Sequence, residues 1–492
     1  MLTSRDKSLL YAIMGKTLAK PKRARSTGRG GRTSSQARAR SASSVVIRNY
    51  RQALDFLKSK TNYETMKRVG YNSTNFNLSR MSRLLTGLGN PHKTVPMVHI
   101  AGTKGKGSTA HMLAAMLRGA GYRTGLYTSP HIVDLRERIR IDGQMVSESR
   151  FARLMAAVAP VANKLKGDNT TFFELMTAAA FLHFAQQEVD IAVIETGVGG
   201  RLDSTNVIKP LVCGITSISY DHMAQLGHTL EAIAGEKAGI FKPGIAAVSA
   251  PQTPGVKKVL RQHAQKVGCD LQIIGDDVEF TYRFERSRAG GPNTRICFAS
   301  PTIRFDHVLV PLLGEHQAHN CGVALGIVDQ LRKRGFEIDP QEAVDGLAGL
   351  QVEGRLEIIR DMPRTVVDTA HNAASIRALM RAIGQNINYD SMVLIFGCSA
   401  DKDVDGMLEQ LQIGADKVIF TGNGTPRSMD PHELLARFQE KSAKMAMAED
   451  DLVAAYRTAC NCVTRDDLIC VTGSTCLVGR AKQELGGNSA LP

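Results

Sequence analysis

MVHIAGTKGKGSTAHM, residues 97–112, runs from an unbroken apolar stretch through Gly102, Gly105 and Gly107 into a helix-like segment. A strand that passes through glycines into a helix surrounds an anion with backbone N–H groups and the positive end of the helix. Glycine is needed because a hydrogen side chain lets the backbone approach phosphate oxygens and adopt positive φ. The stretch therefore predicts a polyphosphate loop made of Gly102, Thr103, Lys104, Gly105, Lys106, Gly107, Ser108 and Thr109. Lys106 is expected at the β- and γ-phosphates, and Ser108 or Thr109 at the cation they carry. The strict G-x-x-x-x-G-K-[S/T] rule is not met, since Ile100 stands where it wants glycine and Gly107 separates Lys106 from Ser108.

Outward from this loop, short apolar runs alternate with helix-period segments from Pro96 onward, the pattern of a mostly parallel sheet covered by helices on both faces. MVHIAG, DIAVIET, LVCGITSIS and IAAVSAP read as strands. The stretch from Ser108, FELMTAAAFLHFA from Phe173 and TLEAIAGEKAGIF from Thr229 read as helices. Over residues 270–312 the segments EFTYRF and TRICFAS alternate on either side of SRAGGPN, which predicts a small antiparallel insertion. A second series follows GLAGLQVEGRLEII, with TVVDTA, MVLIFG, KVIFTG and LICVTG as strands. Gly346, Gly349 and Gly354 interrupt the periodicity there, which places a domain boundary near Leu350. The expectation is an α/β chain: a basic leader over 1–45, a P-loop-type domain over 46–350, and a second Rossmann-like domain over 351–492.

With 492 residues and 43% apolar composition, the chain exceeds the roughly 250–300 residues that one core usually supports. Its net charge of +15 invites a nucleic-acid reading, but residues 1–45 carry eleven Lys and Arg against Asp6 alone. That leader lacks the apolar periodicity that would offset its ordering entropy and is expected to be disordered. It reads as a nonspecific tail, an Arg/Ser-rich organelle-targeting segment, or a nucleic-acid-binding arm. Tyr11 is its only aromatic, which argues against base stacking. No run reaches the ~18–20 apolar residues of a membrane span, and Leu9–Met14 is too short for a signal-peptide core. A cytoplasmic, monomeric protein is expected, with organelle targeting by the leader as the other option. The nine cysteines are scattered, and Cys460 and Cys462 lack paired zinc spacing, so free thiols are expected.

DIAVIET delivers Glu195 at its carboxyl end, where open α/β sheets bind ligands and a carboxylate is placed to hold magnesium. CGITSIS ends just before Tyr220, Asp221 and His222, at the same rim. Lys237, beside Glu236 in GEKAGIF, reads on its own as half of a surface ion pair.

GTKGKGST, YTSPHIVDLRERIRIDG, ETGVGGRLDSTN, SYDHMAQLGHTLEAIAGEKAGIF, GEHQAHN, VEGRLE, VVDTAHN and VTGSTCLVGRA follow one another in that order. Together they resemble the folylpolyglutamate synthase and dihydrofolate synthase family, relatives of the Mur ligases, over roughly Val46 to Lys482. The resemblance implies an ATP-dependent ligase in which a folate or dihydropteroate carboxylate becomes an acyl phosphate that the amine of L-glutamate attacks. It implies ATP and Mg2+, with Ser129, Glu195 and His222 as magnesium ligands. Lys106, His222 and Lys237 are implied as catalytic groups, Lys237 matching a lysine that the family carbamylates. Gln317, Asn320, Arg355, Asp368 and His371 match nucleotide-contacting positions. Arg136 and Arg138 lie in the stretch that resembles the loop approaching the pteroate, and read either as available for its carboxylates or as ordinary exposed charges. Many relatives have asparagine at Lys104. The rival expectations are a Mur-type ligase for a cell-wall precursor, which GKGS, TSPH and GRLDSTN disfavour, and a nucleic-acid-binding protein working through the leader. The motifs leave open whether the acceptor is dihydropteroate, a reduced folate, or both.

Overall fold

Pro96 and Gly102 bracket five consecutive buried residues, and those five form the strand at the centre of the first sheet. In this computed structural model the described residues are 46–486, apart from 67–69, 71, 73–74, 166–168 and 288–290. The basic leader lies outside them, and Val46 onward forms one compact unit. The first sheet is built from β1 (Met97–Ala101), β2 (Thr124–Tyr127), β3 (Ile139–Ile141), β4 (Gln144–Met145), β5 (Ile191–Glu195), β6 (Val212–Ile215), β7 (Ala246–Ser249) and β8 (Asp270–Ile273). Its order is β4-β3-β2-β5-β1-β6-β7-β8. All neighbours from β2 to β8 are parallel, and the short β3 and β4 add an antiparallel edge. Every residue of β1, β2, β5, β6 and β7 is buried, as expected of strands covered on both faces.

The antiparallel insertion is smaller than the sequence suggests. Residues 270–273 belong to the first sheet as β8, parallel to β7, because the polar–apolar alternation starts only at Glu279. The insertion itself is β9 (Glu279–Ser287), β10 (Gly291–Ala299) and β11 (Arg304–Val310), in the order β11-β10-β9. From it the chain enters the long helix Glu315–Lys333, which packs on the helix Lys106–Gly119 behind the glycine loop.

The second sheet comprises β12 (Glu357–Asp361), β13 (Arg364–Val367), β14 (Met392–Phe396), β15 (Lys417–Phe420), β16 (Met445–Ala448) and β17 (Leu468–Thr472), in the order β12-β13-β17-β14-β15-β16. Only the β12–β13 pair is antiparallel. Each sheet has its own apolar clusters, one side of the first around Phe151, Phe181 and Phe184 and one side of the second around Phe396, Phe420 and Phe438.

Local signals set the helix starts that matter for the site. Thr171 and Glu174 form a reciprocal capping box on the helix Phe172–Gln186. Thr229 caps Leu230–Ala238, so Lys237 falls on that helix's last turn. Gly239 ends the helix, leaving the expected continuation into Ile240 and Phe241 outside it.

Candidate active site

Four parallel neighbours of the first sheet end at one rim, and each ends in a loop rich in the residues the chemistry needs. After β1 the glycine loop turns into the helix Lys106–Gly119. Gly105 occupies its N-cap in the left-handed conformation at φ 84°, and no side chain caps the helix. The first-turn amides are thus left without an intrahelical partner and available to a ligand. A Cβ at Gly105 would collide with the Asn320 side chain, so glycine is required by space as well as by φ. The loop is pinned from β6: the amides of Thr103 and Lys104 donate to the Ser217 carbonyl at 2.9 and 3.1 Å. Ser108 and Thr109 are buried at the start of the helix, with the Thr109 hydroxyl donating to the Asn320 carbonyl at 3.3 Å. Asn320 Nδ2 in turn donates to Gln317 Oε1 at 2.8 Å.

Glu195, at the end of β5, is buried, and its carboxylate faces the loop. Lys106 Nζ lies 3.9 Å from Oε1, and the Ser129 amide, arriving from the end of β2, donates to Oε2 at 3.1 Å. Burial raises the Glu195 pKa, and the partial compensation by Lys106 and the Ser129 amide leaves it above its ordinary value. A desolvated carboxylate of this kind is under-neutralised and suits a hard cation. Ser129 and His222 line the same cavity. Among the described residues no three His, Cys, Asp or Glu side chains converge as a metal cage. The oxygen donors of Glu195 and Ser129 are of the kind magnesium takes, since it uses one or two protein carboxylates and completes its shell with phosphates and water.

Lys237 is not the surface ion pair that its neighbour Glu236 suggests. Its side chain is buried and Nζ donates to the Gly102 carbonyl at 2.7 Å, while Glu236 pairs with Arg201 at 2.8 Å. Burial, reinforced by Lys106 and Lys104, depresses the Lys237 pKa well below the usual lysine value. The helix turn that carries both residues points one at the rim and the other at Arg201, a distinction that adjacent positions in sequence do not reveal. Desolvation likewise pushes His222 down to about 3 and Lys104 down to about 8.

The carboxyl ends of the second sheet face the same cavity, of about 690 Å³. β13 leads into Asp368 and His371. The Asp368 carboxylate accepts the amides of Leu356 at 2.9 Å and Ala370 at 2.8 Å, which braces the loop, and burial raises its pKa. Arg355 bonds the Thr369 hydroxyl and lines the cavity. His371 Nδ1 is 2.8 Å from the Thr369 carbonyl, and its Nε2 reaches Asp221 at 3.4 Å. The Lys104 charge and burial hold His371 near 4, so its ring is neutral.

The structure thus brings Gly102 through Ser108, Ser129, Glu195, His222, Lys237, Gln317, Asn320, Arg355, Asp368 and His371 to one cavity, with Thr109 just behind them. It separates the two arginines. Arg138 borders the cavity but is fully buried, its guanidinium held by Glu64 at 2.7 and 2.8 Å and by His131 at 2.9 Å. Arg136 does not reach the cavity: it pairs with Asp134 at 2.6 Å and lies over the Tyr50 ring. The capping box of Asp134 and Glu137 turns the chain so that alternate arginines face opposite sides. Several cavity groups carry no motif of their own. These include Lys402, Arg427, Glu64 and the buried Arg80–Glu174 pair at 2.8 Å. For Lys402 a signal existed, its position just past the strand MVLIFG at a sheet's carboxyl end.

Comparison with known proteins agrees with this arrangement. Residues 100–328 match the Mur ligase middle domain, and residues 354–475 match the Mur ligase glutamate ligase domain. The dihydrofolate synthase/folylpolyglutamate synthase of Mycobacterium tuberculosis is 34% identical over 442 residues, covering 83% of this chain and 90% of that one. The Bacillus subtilis protein of the same name is 32% identical over 415 residues, covering 83% and 94%. The structure of the M. tuberculosis folylpolyglutamate synthase complexed with ADP superposes with a TM-score of 0.81 at 32% identity, covering 89% of this chain and 98% of that one. The chain therefore belongs to the folylpolyglutamate synthase/dihydrofolate synthase family of Mur-type ligases, ATP-dependent enzymes that join L-glutamate to folate-type acceptors.

Proposed function

We propose that ATP lies across the cavity, its phosphates on the amides around Gly105 and its nucleoside toward Asn320, Arg355, Asp368 and His371. The acceptor's carboxylate oxygen bonds to the γ-phosphorus as the bond to the β,γ-bridging oxygen breaks and ADP leaves. The glutamate amine then bonds to the acyl carbon, phosphate departs, and the nitrogen loses a proton. Phosphoryl transfer of this kind needs charge neutralisation and in-line positioning more than a strong base. Lys106 and the glycine-loop amides supply both. Ser129, Glu195 and His222 would hold magnesium, which adds positive charge beside the phosphates when bound. A carbamate on Lys237, formed from its neutral amine and CO2, belongs to the same reading.

One observation carries this: Lys106 and Glu195 face each other at 3.9 Å at the mouth of an uncapped helix, inside a cavity closed by a second α/β sheet. We read the acceptor as either dihydropteroate or a reduced folate, and the chain as a cytoplasmic monomer. The experiment is ADP release and product mass with ATP, magnesium and L-glutamate, comparing dihydropteroate with tetrahydrofolate. Turnover with at least one acceptor, dependent on all three other components, supports the reading. ADP release without a glutamate adduct overturns it. Deleting residues 1–45 is expected to leave turnover intact, and loss of turnover would return the leader to the centre of function.

A further inference from the structure

Asp221 gathers groups from both sides of the cavity. Its Oδ2 accepts from Lys104 Nζ at 2.9 Å and from Asn372 Nδ2 at 3.1 Å, and its Oδ1 accepts from Lys402 Nζ at 2.7 Å. His371 Nε2 stands 3.4 Å from Oδ2. Lys104 belongs to the glycine loop, whereas Asn372, His371 and Lys402 come from loops after β13 and β14 of the second sheet. The Asp221 side chain is 5% exposed and that of Lys402 13%. One buried carboxylate faces two ammonium groups, those of Lys104 and Lys402, so the junction carries a surplus of positive charge in a poorly solvated place. An anion that enters beside the glycine loop competes with Asp221 for both lysines.

The two sheets are also tied together away from the cavity. Arg140 of β3 bonds Glu353, in the segment leading into β12, at 3.2 Å, and within the second unit Lys482 holds Glu353 and Glu357 at 2.8 Å each. None of these residues lines the cavity. Asp221 is therefore not the sole link between the two sheets.

We propose that Lys402 is a catalytic cation delivered by the second sheet to the phosphoryl group in transfer, and that Asp221 is the positioning residue that holds it in place until the phosphoryl group arrives. This rests on the ligase reading above. No covalent bond of either residue changes. The Lys402 ammonium keeps its proton and exchanges the Asp221 carboxylate for phosphoryl oxygens while the γ-phosphorus passes from the bridging oxygen to the acceptor's oxygen. Lys402 thereby adds charge stabilisation where negative charge builds up, and it does so only when the two sheets are closed on each other.

Two measurements on the full chain test this. In steady-state assays Lys402→Met is expected to lower kcat about 10²-fold while the KM for glutamate stays within about threefold, and Lys402→Arg to recover about a tenth of wild-type kcat or more. In the nucleotide-free protein, Asp221→Asn is expected to raise amide hydrogen exchange about fivefold in residues 368–372 and 397–403, with residues 353–357 unchanged. If Lys402→Met left kcat within about threefold, or raised only the KM for glutamate, the cation would serve the amino acid or nothing, and the proposal would fall. Unchanged exchange in Asp221→Asn would remove the holding role. Should Lys402→Met not fold, Lys402→Gln takes its place with the same readouts. The exchange measurement uses no substrate, so it separates failure of the Asp221 contact from failure of the ligase reading, which a wild-type protein forming no glutamate adduct would reveal.

Discussion

The first-sheet rim draws its groups from β2, β5, β1 and β6 and ties them to one another: Ser129 to Glu195, Lys237 to Gly102, and Lys104 to Ser217. On the second-sheet rim Asp368 is bound within its own loop, but His371, Asn372 and Lys402 reach outward to Asp221, and Arg427 donates to the Glu64 carbonyl at 2.8 Å. The first rim is thus held together by contacts of its own, and on the ligase reading proposed above its lysines and carboxylates would meet the phosphates in fixed places. Much of the second completes its contacts only across the cavity. Preorganised charge acts on the barrier to reaction, and so does Lys402 once closure delivers it, whereas second-rim groups such as Arg355 act on nucleotide binding and on whether the barrier is reached at all.

Substitutions on the two rims are therefore expected to separate. The largest loss is expected from Lys106→Ala, about 10³-fold in kcat, because the loop keeps its shape but loses the charge nearest the phosphates. Retained kcat in a folded protein would break the comparison at its strongest point. Glu195→Gln follows, with about a 10²-fold loss at ordinary magnesium and a higher magnesium requirement in titrations. Chelating magnesium should abolish wild-type turnover in the same assay.

Lys237→Ala is expected to lower turnover by somewhat under about 10²-fold, with partial recovery on adding formate or acetate if the wild-type lysine carries a carbamate. Its unmodified amine also sets a pH trend. The folded pKa lies well below the ordinary lysine value, so between the two the unfolded chain binds more protons and stability rises with pH. Denaturant titrations across that window should show a shallower rise in Lys237→Met than in the wild type.

On the second rim, Arg355→Ala is expected to raise the KM for ATP about tenfold and to change kcat little, which initial-rate measurements would separate. A fall in kcat matching that of Lys106→Ala would show that the rims do not divide the work. The smallest effect is assigned to Arg136→Ala, within about twofold in all kinetic constants, since its partner is a partly exposed Asp134 and not the cavity. A selective rise in the acceptor's KM would bring Arg136 back to the site.

The same contrast governs how much was legible in the residues alone. The strand-to-glycine-to-helix passage at 97–112, Glu195 at a strand's end, and His222 on the same rim follow from local pattern and from the rule that ligands gather at carboxyl ends. The residues alone do not announce β2, the short β3–β4 edge, β12 or β16: each is brief, TGLY in β2 offers no apolar run although it lies inside the sheet, and the others lie at or next to a sheet edge. Placing β8 in the insertion failed for a related reason: which sheet a four-residue strand joins depends on its neighbours, not on its own residues. Lys237 was misread from its own segment because Glu236 beside it offered an obvious partner. Only the resemblance pointed the other way.

Sequence by itself determined the α/β class, the glycine loop between strand and helix, and the principal buried strands, because strand and helix periods, glycine's φ freedom and strand-end geometry act over a few neighbouring residues. Tertiary structure decided which charges share low-dielectric space: that Lys237 turns inward, that Arg136 turns away, and that Asp221 meets Lys402 across 181 positions of chain. Burial and pairing are properties of the folded surroundings, and the electrostatics of this site depend on them.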